Sequence, residues 1–386
     1  MVIGGQAFVY PSVAREGEAR LRYLSAMFKF FTPKISSFGI DLSDLSIKVI
    51  NLKKHAGKFV LTCFNRQDIK EGLIEEGEIK QEAELIEVIK KAVKGVKGEA
   101  IKTKYCIVSL PETESYIRML QLPLIKEEEV AEAIKWELEA NIPHTIDEIY
   151  YDWQIIQTPQ TNQKQLDILV GVLPKKTVDP YLDALKKANL KPFIFEIESV
   201  ATARALIKDG YSEEPIAIVD MGAKRTSFFI FSGRTIYFTT SLPICNNSLI
   251  KTLSEHLDVS IAKAREIKYK VGLDIKHPKS QIFDALESSL MELAGKIKNF
   301  IAFYHDHWLP NQSGRNQINK LLLCGGGATM IGLLEFLNSQ LNLEVSLGNP
   351  WINISDNPKE AIGKLPLDDP PAYATALGLA LRGWES

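Results

Sequence analysis

The chain has 386 residues, a length that favours two domains over one hydrophobic core. A formal net charge of −2 gives no electrostatic basis for binding nucleic acid, and no uncharged run approaches the ~20 residues that span a bilayer. The 4 cysteines lie far apart without CxxC spacing, which favours buried free thiols in a cytoplasmic protein over disulfides or a metal site.

Residues 1–35 are predicted to be an N-terminal extension outside the folded protein. Apolar side chains from Leu21 to Phe31 fall on one helical face among basic residues, a pattern that a membrane-surface helix would also show. This apolar stretch is short and interrupted by charge, so it favours a flexible leader and does not indicate a secretory signal. Whether residues 1–26 are translated in the cell stays open, because Met27 also suits a translation start.

The first predicted hairpin lies between Ser37 and Leu52, where an apolar strand reaches Asp41, turns, and continues as a second strand. A third β-rich run, Lys58 to Phe64, follows after another polar turn. One aspartate at a hairpin tip is a weak signal when it stands alone. It gains meaning because the same arrangement returns later in the chain.

Helices and strands alternate after this hairpin, and prolines separate several of them. Residues 36–110 and 193–208 are predicted to form a first lobe, residues 111–192 a small α+β subdomain inserted into it, and residues 209–386 a second lobe. Further strands are predicted at Tyr105–Leu110, Tyr116–Gln121, Tyr150–Gln157, Gln165–Leu173, Phe193–Ser199 and Lys320–Cys324. Helices are predicted at Gln81–Val96, Lys126–Asn141, Val178–Ala188, Ser199–Lys208, Asn246–Leu257, Ile261–Val271, Ser280–His307, Met330–Leu341 and Tyr373–Leu381.

The second predicted hairpin runs from Ile216 to Phe231 and repeats the design of the first. Its first strand ends in Asp220, the chain turns through Gly222, and a second apolar strand starts at Thr226. A third strand follows at Thr235–Leu242. The repeated unit predicts two similar lobes that bring Asp41 and Asp220 together across a cleft. Backbone N–H groups, a hydroxyl and carboxylates at two such tips suit a phosphate with its cation.

A run of three glycines, Gly325-Gly326-Gly327, and Ala328 separate a buried strand from an amphipathic helix. Glycines at such a position let a planar or anionic ligand approach the backbone closely, although a tight turn without a ligand has the same pattern.

The hairpins, the glycine turn and the insertion together resemble the actin-like ATPase superfamily. Within it, the chain looks like a member of the PilM family of type IV pilus assembly proteins, which is related to FtsA. The segments that carry this likeness are Gly39-Ile40-Asp41 to Lys48-Val49, Ser109-Leu110-Pro111 to Leu122-Pro123, Ala133-Ile134-Lys135-Trp136-Glu137 to Ile142-Pro143, Val219-Asp220-Met221-Gly222 and Leu323 to Ala328. The resemblance implies two actin-like (ribonuclease H-like) α/β lobes, 1A and 2A/2B, around a nucleotide cleft, with a 1C-type insertion.

The resemblance also implies roles for individual residues in binding ATP and Mg²⁺. Asp41 and Asp220 would hold Mg²⁺ largely through water, and Lys48 would reach a phosphate. Glu198 matches the position that orients the attacking water, although a purely structural role suits it equally. The remaining nucleotide-binding candidates are Ser43 and Ser46 in the first phosphate motif, Gly222, Lys224 and Thr226 in the second, Glu266 and Lys268 on the ribose-facing helix, and Gly325, Gly326, Gly327 and Ala328 in the adenosine motif.

Two positions depart from the family pattern. Ser43 stands where the family usually has glycine in the first phosphate motif, and its side chain crowds the phosphate or adds a hydroxyl donor. Arg265 stands where the family's glutamate follows Ala264, and Glu266 comes one residue later. Both departures concern the nucleotide pocket rather than the fold.

The function implied by this resemblance is an ATP-binding scaffold of type IV pilus assembly with at most slow ATPase activity. Its partner would be the N-terminal peptide of a PilN-like inner-membrane protein, which would place the chain at the inner face of the cytoplasmic membrane. An FtsA-like, polymer-forming cell-division ATPase is the alternative, and self-association stays open. A small-molecule kinase is less favoured, because no unclaimed carboxylate stands at an obvious strand end to act as its base.

Overall fold

A computed structural model of the chain describes residues 36–55, 57–156, 165–273, 281–308, 317–355 and 369–385. The N-terminal extension predicted for residues 1–35 lies outside this described part of the chain. No helix within the described ranges is long and apolar enough to cross a membrane.

Every predicted helix and strand occurs in the described residues, with ends that differ by a few residues. The strands are β1 (Phe38–Ser43), β2 (Ser46–His55), β3 (Lys58–Asp68), β4 (Ile74–Glu75), β5 (Glu78–Ile79), β6 (Lys97–Gly98), β7 (Tyr105–Leu110), β8 (Tyr116–Pro123), β9 (Ile149–Ile156), β10 (Gln165–Pro174), β11 (Lys191–Ile197), β12 (Ser212–Met221), β13 (Thr226–Gly233), β14 (Thr235–Leu242), β15 (Lys320–Cys324) and β16 (Glu344–Leu347). The helices are α1 (Glu82–Lys94), α2 (Glu127–Asn141), α3 (Lys175–Lys187), α4 (Glu198–Leu206), α5 (Asn246–His256), α6 (Ile261–Lys270), α7 (Gln281–Trp308), α8 (Leu333–Leu341) and α9 (Ala374–Arg382). The sequence did not predict β4, β5, β6 and β16, all of them short.

The two main sheets are built on the same plan. In the first sheet, β1, β2 and β3 are antiparallel neighbours, and β7 and β11 continue the sheet parallel to β1. In the second sheet, β12, β13 and β14 are antiparallel, and β15 and β16 continue parallel to β12. The repeat predicted from the sequence is therefore confirmed. In each hairpin a buried apolar segment, residues 38–40 in β1 and residues 217–219 in β12, leads directly to the aspartate.

The insertion adds strands to the second sheet and a helix to the first lobe. β8 pairs with β14 at Arg118 and Phe238, and β10 lies between β8 and β9. Val130 and Ile134 of α2 pack with residues of these strands in a separate small core. α3, by contrast, belongs to the core of the first lobe, where its Tyr181 is 1% exposed. Residues 111–192 thus contact the second lobe through β8 and the first lobe through α3. The domain boundaries stay a prediction.

The last helix, α9, returns to the first sheet, where it packs on β1 and α4. Glycines make this approach close. A Cβ atom at Gly39 would lie 2.7 Å from the carbonyl oxygen of Ala376, and one at Gly378 would overlap the carbonyl oxygen of Ala201. α9 therefore joins the predicted second-lobe residues to the first lobe.

We expect Gly378→Ala to lower the free energy of unfolding by about 2 kcal/mol or more, because the added methyl group must displace the backbone of α4. Alanine has a higher helix propensity than glycine, so helix propensity alone would make Gly378→Ala more stable than wild type. A loss of stability would therefore indicate the clash with α4. Gly295→Ala in α7 is the matched control, since its Cβ would have nothing within 4 Å. Differential scanning calorimetry should show a lower melting temperature for Gly378→Ala and an equal or higher one for Gly295→Ala. Equal melting temperatures for both variants would contradict this account of the packing.

Candidate functional site

The first tip holds Asp41 in a buried polar cluster. Asp41 is 3% exposed and stands opposite Lys48 in the β1–β2 register. The Lys48 ammonium lies 2.8 Å from Oδ2 of Asp41, and the Ser109 hydroxyl donates to Oδ1 at 3.0 Å. Burial opposes the charge of Lys48, but the Asp41 carboxylate outweighs this effect, so the pKa of Lys48 is above its usual value. Lys48 is therefore a fixed cation at this tip.

The second tip places Asp220 within electrostatic reach of the first. Burial raises the pKa of Asp220 to about 6, Lys48 lowers it and Asp41 raises it. The predicted meeting of the two aspartates is thus present in the structure. A carboxylate with such a pKa is mostly ionised at neutral pH, and it gains stability when a cation arrives beside it.

The two tips suit a hydrated cation better than a directly ligated one. Both carboxylate oxygens of Asp41 already accept hydrogen bonds, from Lys48 and Ser109. Among the described residues, no group of three or more His, Cys, Asp or Glu side chains could hold a metal ion. Mg²⁺ that arrives with a nucleotide keeps several of its waters and needs few protein ligands. The residues present therefore fit Mg²⁺ held through water.

Polar contacts join the two tips directly, and we call these contacts the tip bridge. Arg225, from the turn of the second hairpin, reaches Asp44 in the first turn at 2.9 Å and also contacts the Thr113 hydroxyl. The backbone N–H of Gly77 donates to the other Asp44 oxygen at 3.2 Å, and the Tyr181 hydroxyl donates to the Gly77 carbonyl at 3.0 Å. The tip bridge therefore links both hairpins with α3.

Two further carboxyl groups lie where α4 begins. Glu198 is the first residue of α4, and burial together with Asp41 raises its pKa well above the usual value, while Arg225 opposes the shift. Glu112 accepts hydrogen bonds from the backbone and hydroxyl of Ser199 at 3.2 and 3.1 Å, and burial raises its pKa also.

The three glycines of the predicted adenosine motif differ in how much space surrounds them for a side chain. A Cβ at Gly325, where φ is +83°, would overlap the Asp220 carboxylate, and one at Gly327 would lie 2.6 Å from Cγ of Met221. A Cβ at Gly326 would meet only Ala372, at an ordinary 3.9 Å. Packing therefore explains Gly325 and Gly327 but not Gly326, whose open side fits a ligand that approaches the backbone.

Lys268 lies beside this turn as a buried cation without a hydrogen-bond partner. Its side chain is fully buried, and among the described residues no hydrogen-bond acceptor reaches Nζ. The ammonium stands 4.6 Å from the ring centre of Tyr269, whose hydroxyl donates to the carbonyl of Gly326 at 2.8 Å. Burial lowers the pKa of Lys268 to about 8, and Asp369 opposes the shift. A ligand with oxygen acceptors would satisfy this ammonium.

The structure does not bring Glu266 into the cleft. Ala264 and Lys268, four residues apart, face inward from α6, so Glu266 points the other way. Its carboxylate pairs with Lys263 and Lys270, both at 3.0 Å, on the exposed face of the helix. The one-residue shift beside Arg265 thus moves this carboxylate away from the ribose-facing side.

Several other predicted binding residues use their polar groups within the hairpins. Ser43 donates to the carbonyl of Ser46 at 2.9 Å, and their hydroxyls lie 3.1 Å apart. The buried Thr226 donates to the carbonyl of Ile244 at 2.6 Å. Lys224 stands 3.8 Å from the Glu71 carboxylate. These side chains support the tips.

Two more of the predicted binding residues, Gly222 and Ala328, pack closely against the backbone of their own turns. A Cβ at Gly222 would lie 2.8 Å from the Arg225 carbonyl oxygen, so glycine is required by the turn itself. Ala328 is 1% exposed, and its N–H donates to the Gly325 carbonyl at 3.2 Å. Both residues shape the loops rather than present a functional group.

Sequence reasoning missed the residues that connect distant segments. Arg225 and Asp44 are 181 residues apart, and neither periodicity nor spacing pairs them. Tyr269 and Asp369 were also not expected at the site. The signal available for Arg225 was its place in the turn beside Lys224, and the signal for Asp369 was its place before two prolines at the start of the last helical segment.

Comparison with known proteins identifies the fold and a family. Residues 39–384 match the family model described as "Type IV pilus assembly protein PilM". The solved structure of a PilM-PilN type IV pilus biogenesis complex is 23% identical, with a TM-score of 0.74 over 91% of this chain and 99% of that one. MreB5 of Spiroplasma citri bound to ADP is 12% identical, with a TM-score of 0.52 over 90% of this chain and 96% of that one. These likenesses confirm the predicted actin-like α/β fold.

A curated relative also matches. The cell division protein FtsA of Buchnera aphidicola subsp. Acyrthosiphon pisum (strain APS) is 20% identical over 226 residues, which cover 53% of this chain and 52% of FtsA. This chain therefore spans about half the length of the curated relative that it matches.

Proposed function

The chain belongs to the PilM family of type IV pilus assembly proteins, and we propose that it is a scaffold that binds Mg-ATP between its two hairpin tips. In this proposal the nucleotide-bound form binds the N-terminal peptide of a PilN-like membrane protein. That partner would hold the chain at the inner face of the cytoplasmic membrane. The observation that carries the proposal is the family match over residues 39–384.

Three features of the cleft support nucleotide binding. Lys48 and Asp220 offer a cation and an ionised carboxylate at the tips, where the phosphates and hydrated Mg²⁺ of a nucleotide would lie. Gly326 leaves open space beside its backbone. Lys268 is buried with an unsatisfied ammonium. Mg²⁺, held through water by Asp41 and Asp220, would neutralise phosphate charge.

Occupancy rather than rapid turnover suits this site. A scaffold gains from a bound nucleotide rather than from its turnover, and burial raises the pKa of both Glu198 and Glu112. Arg225 partly opposes this shift at Glu198. We therefore expect at most slow hydrolysis, and Glu198 would mainly orient water or support the N-terminus of α4.

Calorimetric titration of Mg-ATP into the full chain tests the nucleotide part of the proposal. We expect saturable binding in the micromolar range, weakened at least tenfold by Asp220→Asn, which removes the tip carboxylate without changing its shape. Asp258→Asn is the matched control, because Asp258 is an exposed aspartate on the same lobe. Absence of binding to wild-type protein that is shown to be folded would remove ATP from the proposal.

Fluorescence anisotropy with a labelled N-terminal peptide of a PilN-like membrane protein from the same organism tests the scaffold part. We expect saturable binding in the micromolar range or better, tighter in the presence of Mg-ATP than in its absence. A peptide of the same composition in scrambled order is the control. Equal binding of both peptides, or none, would contradict the scaffold function.

A further inference from the structure

Asp369 is a second unsatisfied group at the nucleotide cleft. It adopts a left-handed backbone conformation, with φ +57°, directly before the 3-10 turn Pro370–Tyr373. Its Oδ1 atom is buried from solvent and has no hydrogen-bond partner among the described residues. A buried acceptor without a donor is costly in a folded protein, so its presence points to a missing ligand.

The turn that carries Asp369 packs against the glycine turn. The N–H of Gly325 donates to the carbonyl of Pro371 at 3.0 Å, and the N–H of Ala372 donates to the carbonyl of Asp369 at 3.1 Å. On α6, the Tyr269 hydroxyl donates a hydrogen bond to the carbonyl of Gly326, and the Lys268 ammonium lies beside the Tyr269 ring. Asp369 and Lys268 therefore flank the same loop from two different elements.

We propose that Asp369 and Lys268 together bind the 2′- and 3′-hydroxyls of the ribose of a nucleotide in the cleft. This inference rests on the proposed nucleotide-binding function and adds the residues that recognise the sugar. Each ribose hydroxyl both donates and accepts a hydrogen bond. It can therefore satisfy the orphaned carboxylate oxygen of Asp369 and the orphaned ammonium of Lys268 at the same time.

Charge and position argue for the sugar rather than the phosphates. A phosphate group would suit Lys268 alone, but it would be repelled by the Asp369 carboxylate beside it. The Asp369 carboxylate also interacts electrostatically with Lys48, with Arg66, which stands opposite Lys48 in the β2–β3 register, and with Lys268. Asp369 thus has cations of the first tip and of the ribose-facing helix within electrostatic reach, as a group beside the sugar would.

Asp369 thus supplies the carboxylate that the ribose-facing helix lacks. Glu266, which the sequence suggested for this side, is engaged by Lys263 and Lys270 on the exposed face of α6. Asp369 reaches the cleft from the connection to α9 instead, more than 100 residues later in the chain. In this proposal, Asp369 replaces the carboxylate that the family usually has at the position of Arg265.

The test is calorimetric titration of the full chain with ATP, 2′-deoxyATP and 3′-deoxyATP, each with Mg²⁺. We expect wild-type protein to bind ATP about tenfold more tightly than either deoxynucleotide, because a site that bonds to a hydroxyl disfavours the analogue that lacks it. Asp369→Asn should weaken ATP binding about tenfold and leave deoxynucleotide binding nearly unchanged, so that the preference disappears. Asp258→Asn is the control, since Asp258 has the same left-handed backbone, with φ +50°, and is exposed.

The outcomes separate this inference from the function on which it rests. Equal affinity of wild-type protein for ATP and both deoxynucleotides would overturn the ribose assignment but leave nucleotide binding intact, and this comparison requires no variant to fold. Tighter ATP binding by Asp369→Asn would also overturn it, because the carboxylate would then repel the nucleotide. No binding of any nucleotide by folded wild-type protein would instead contradict the proposed function itself.

Discussion

Lys268→Met is expected to stabilise the ligand-free protein while it weakens Mg-ATP binding at least tenfold. Methionine keeps the length of the side chain and removes a fully buried charge that has no hydrogen-bond partner in the described structure. The pKa of Lys268, lowered from 10.5 to about 8, corresponds to a penalty of about 3 kcal/mol at neutral pH. A residue kept at such a cost to stability is one that a ligand requires.

The sign of this effect with pH can be predicted as well. The lowered pKa means that the unfolded chain binds the Lys268 proton more tightly than the folded protein does. The penalty is therefore fully present below about pH 8 and disappears as pH rises from about 8 to 10.5. The difference in melting temperature between Lys268→Met and wild type should shrink over that range.

Thermal unfolding and calorimetric titration of the same preparations give both measurements. Lys270→Met is the matched control on α6, because the Lys270 side chain is 73% exposed and pairs only at the surface with Glu266. That control should change neither ATP affinity nor stability by a large amount. A Lys268→Met protein that is less stable than wild type and binds ATP equally well would show that Lys268 has a packing role.

Gly326→Val should leave the fold intact and reduce Mg-ATP affinity by about a hundredfold. The protein itself leaves room for a side chain at this position, where a Cβ would meet only Ala372 at 3.9 Å. A nucleotide that approaches the backbone of the glycine turn would collide with the valine methyl groups. Melting temperature and ATP affinity should therefore respond very differently to the same substitution.

Gly327→Val is the comparison that makes this result interpretable. A Cβ at Gly327 would lie 2.6 Å from Cγ of Met221 and 3.0 Å from its carbonyl oxygen, so that valine should destabilise the protein before any ligand is added. Gly326→Ala provides a graded step with a smaller loss of affinity. Full ATP affinity in Gly326→Val would mean that the open side of the glycine turn is not part of the site.

Local patterns carried most of the fold in this chain. β1 and β13 are buried along nearly all of their length and are mainly apolar, and an aspartate precedes the turn in both hairpins, so both hairpins could be predicted with their third strands. Helices such as α1 were predicted from one apolar face, which holds Leu85 and Ile89 in the structure. Residue types in these segments depend on neighbours that are close in the sequence.

The site was predicted less completely, because much of it depends on contacts between distant segments. Asp41, Lys48, Asp220 and the glycine turn could be predicted as site residues, since each lies within a recognisable motif. Glu266 was expected at the cleft, but a shift of one residue on a helix turns a side chain by about 100°. The local signal for Asp369, its place before two prolines, was too weak to mark it, because its significance comes from Lys268 and the glycine turn, which lie far from it in the chain.

The tip bridge has a kinetic consequence. Arg225 and Asp44 form an ion pair whose side chains are only 15% and 8% exposed, and it joins the turns of the two hairpins. A nucleotide that enters between the tips must first separate this pair. Entry would then be gated by opening of the pair rather than by diffusion, and salt that weakens the pair should raise the association rate constant. Attraction between a basic cleft and an anionic nucleotide alone would give the opposite dependence on ionic strength.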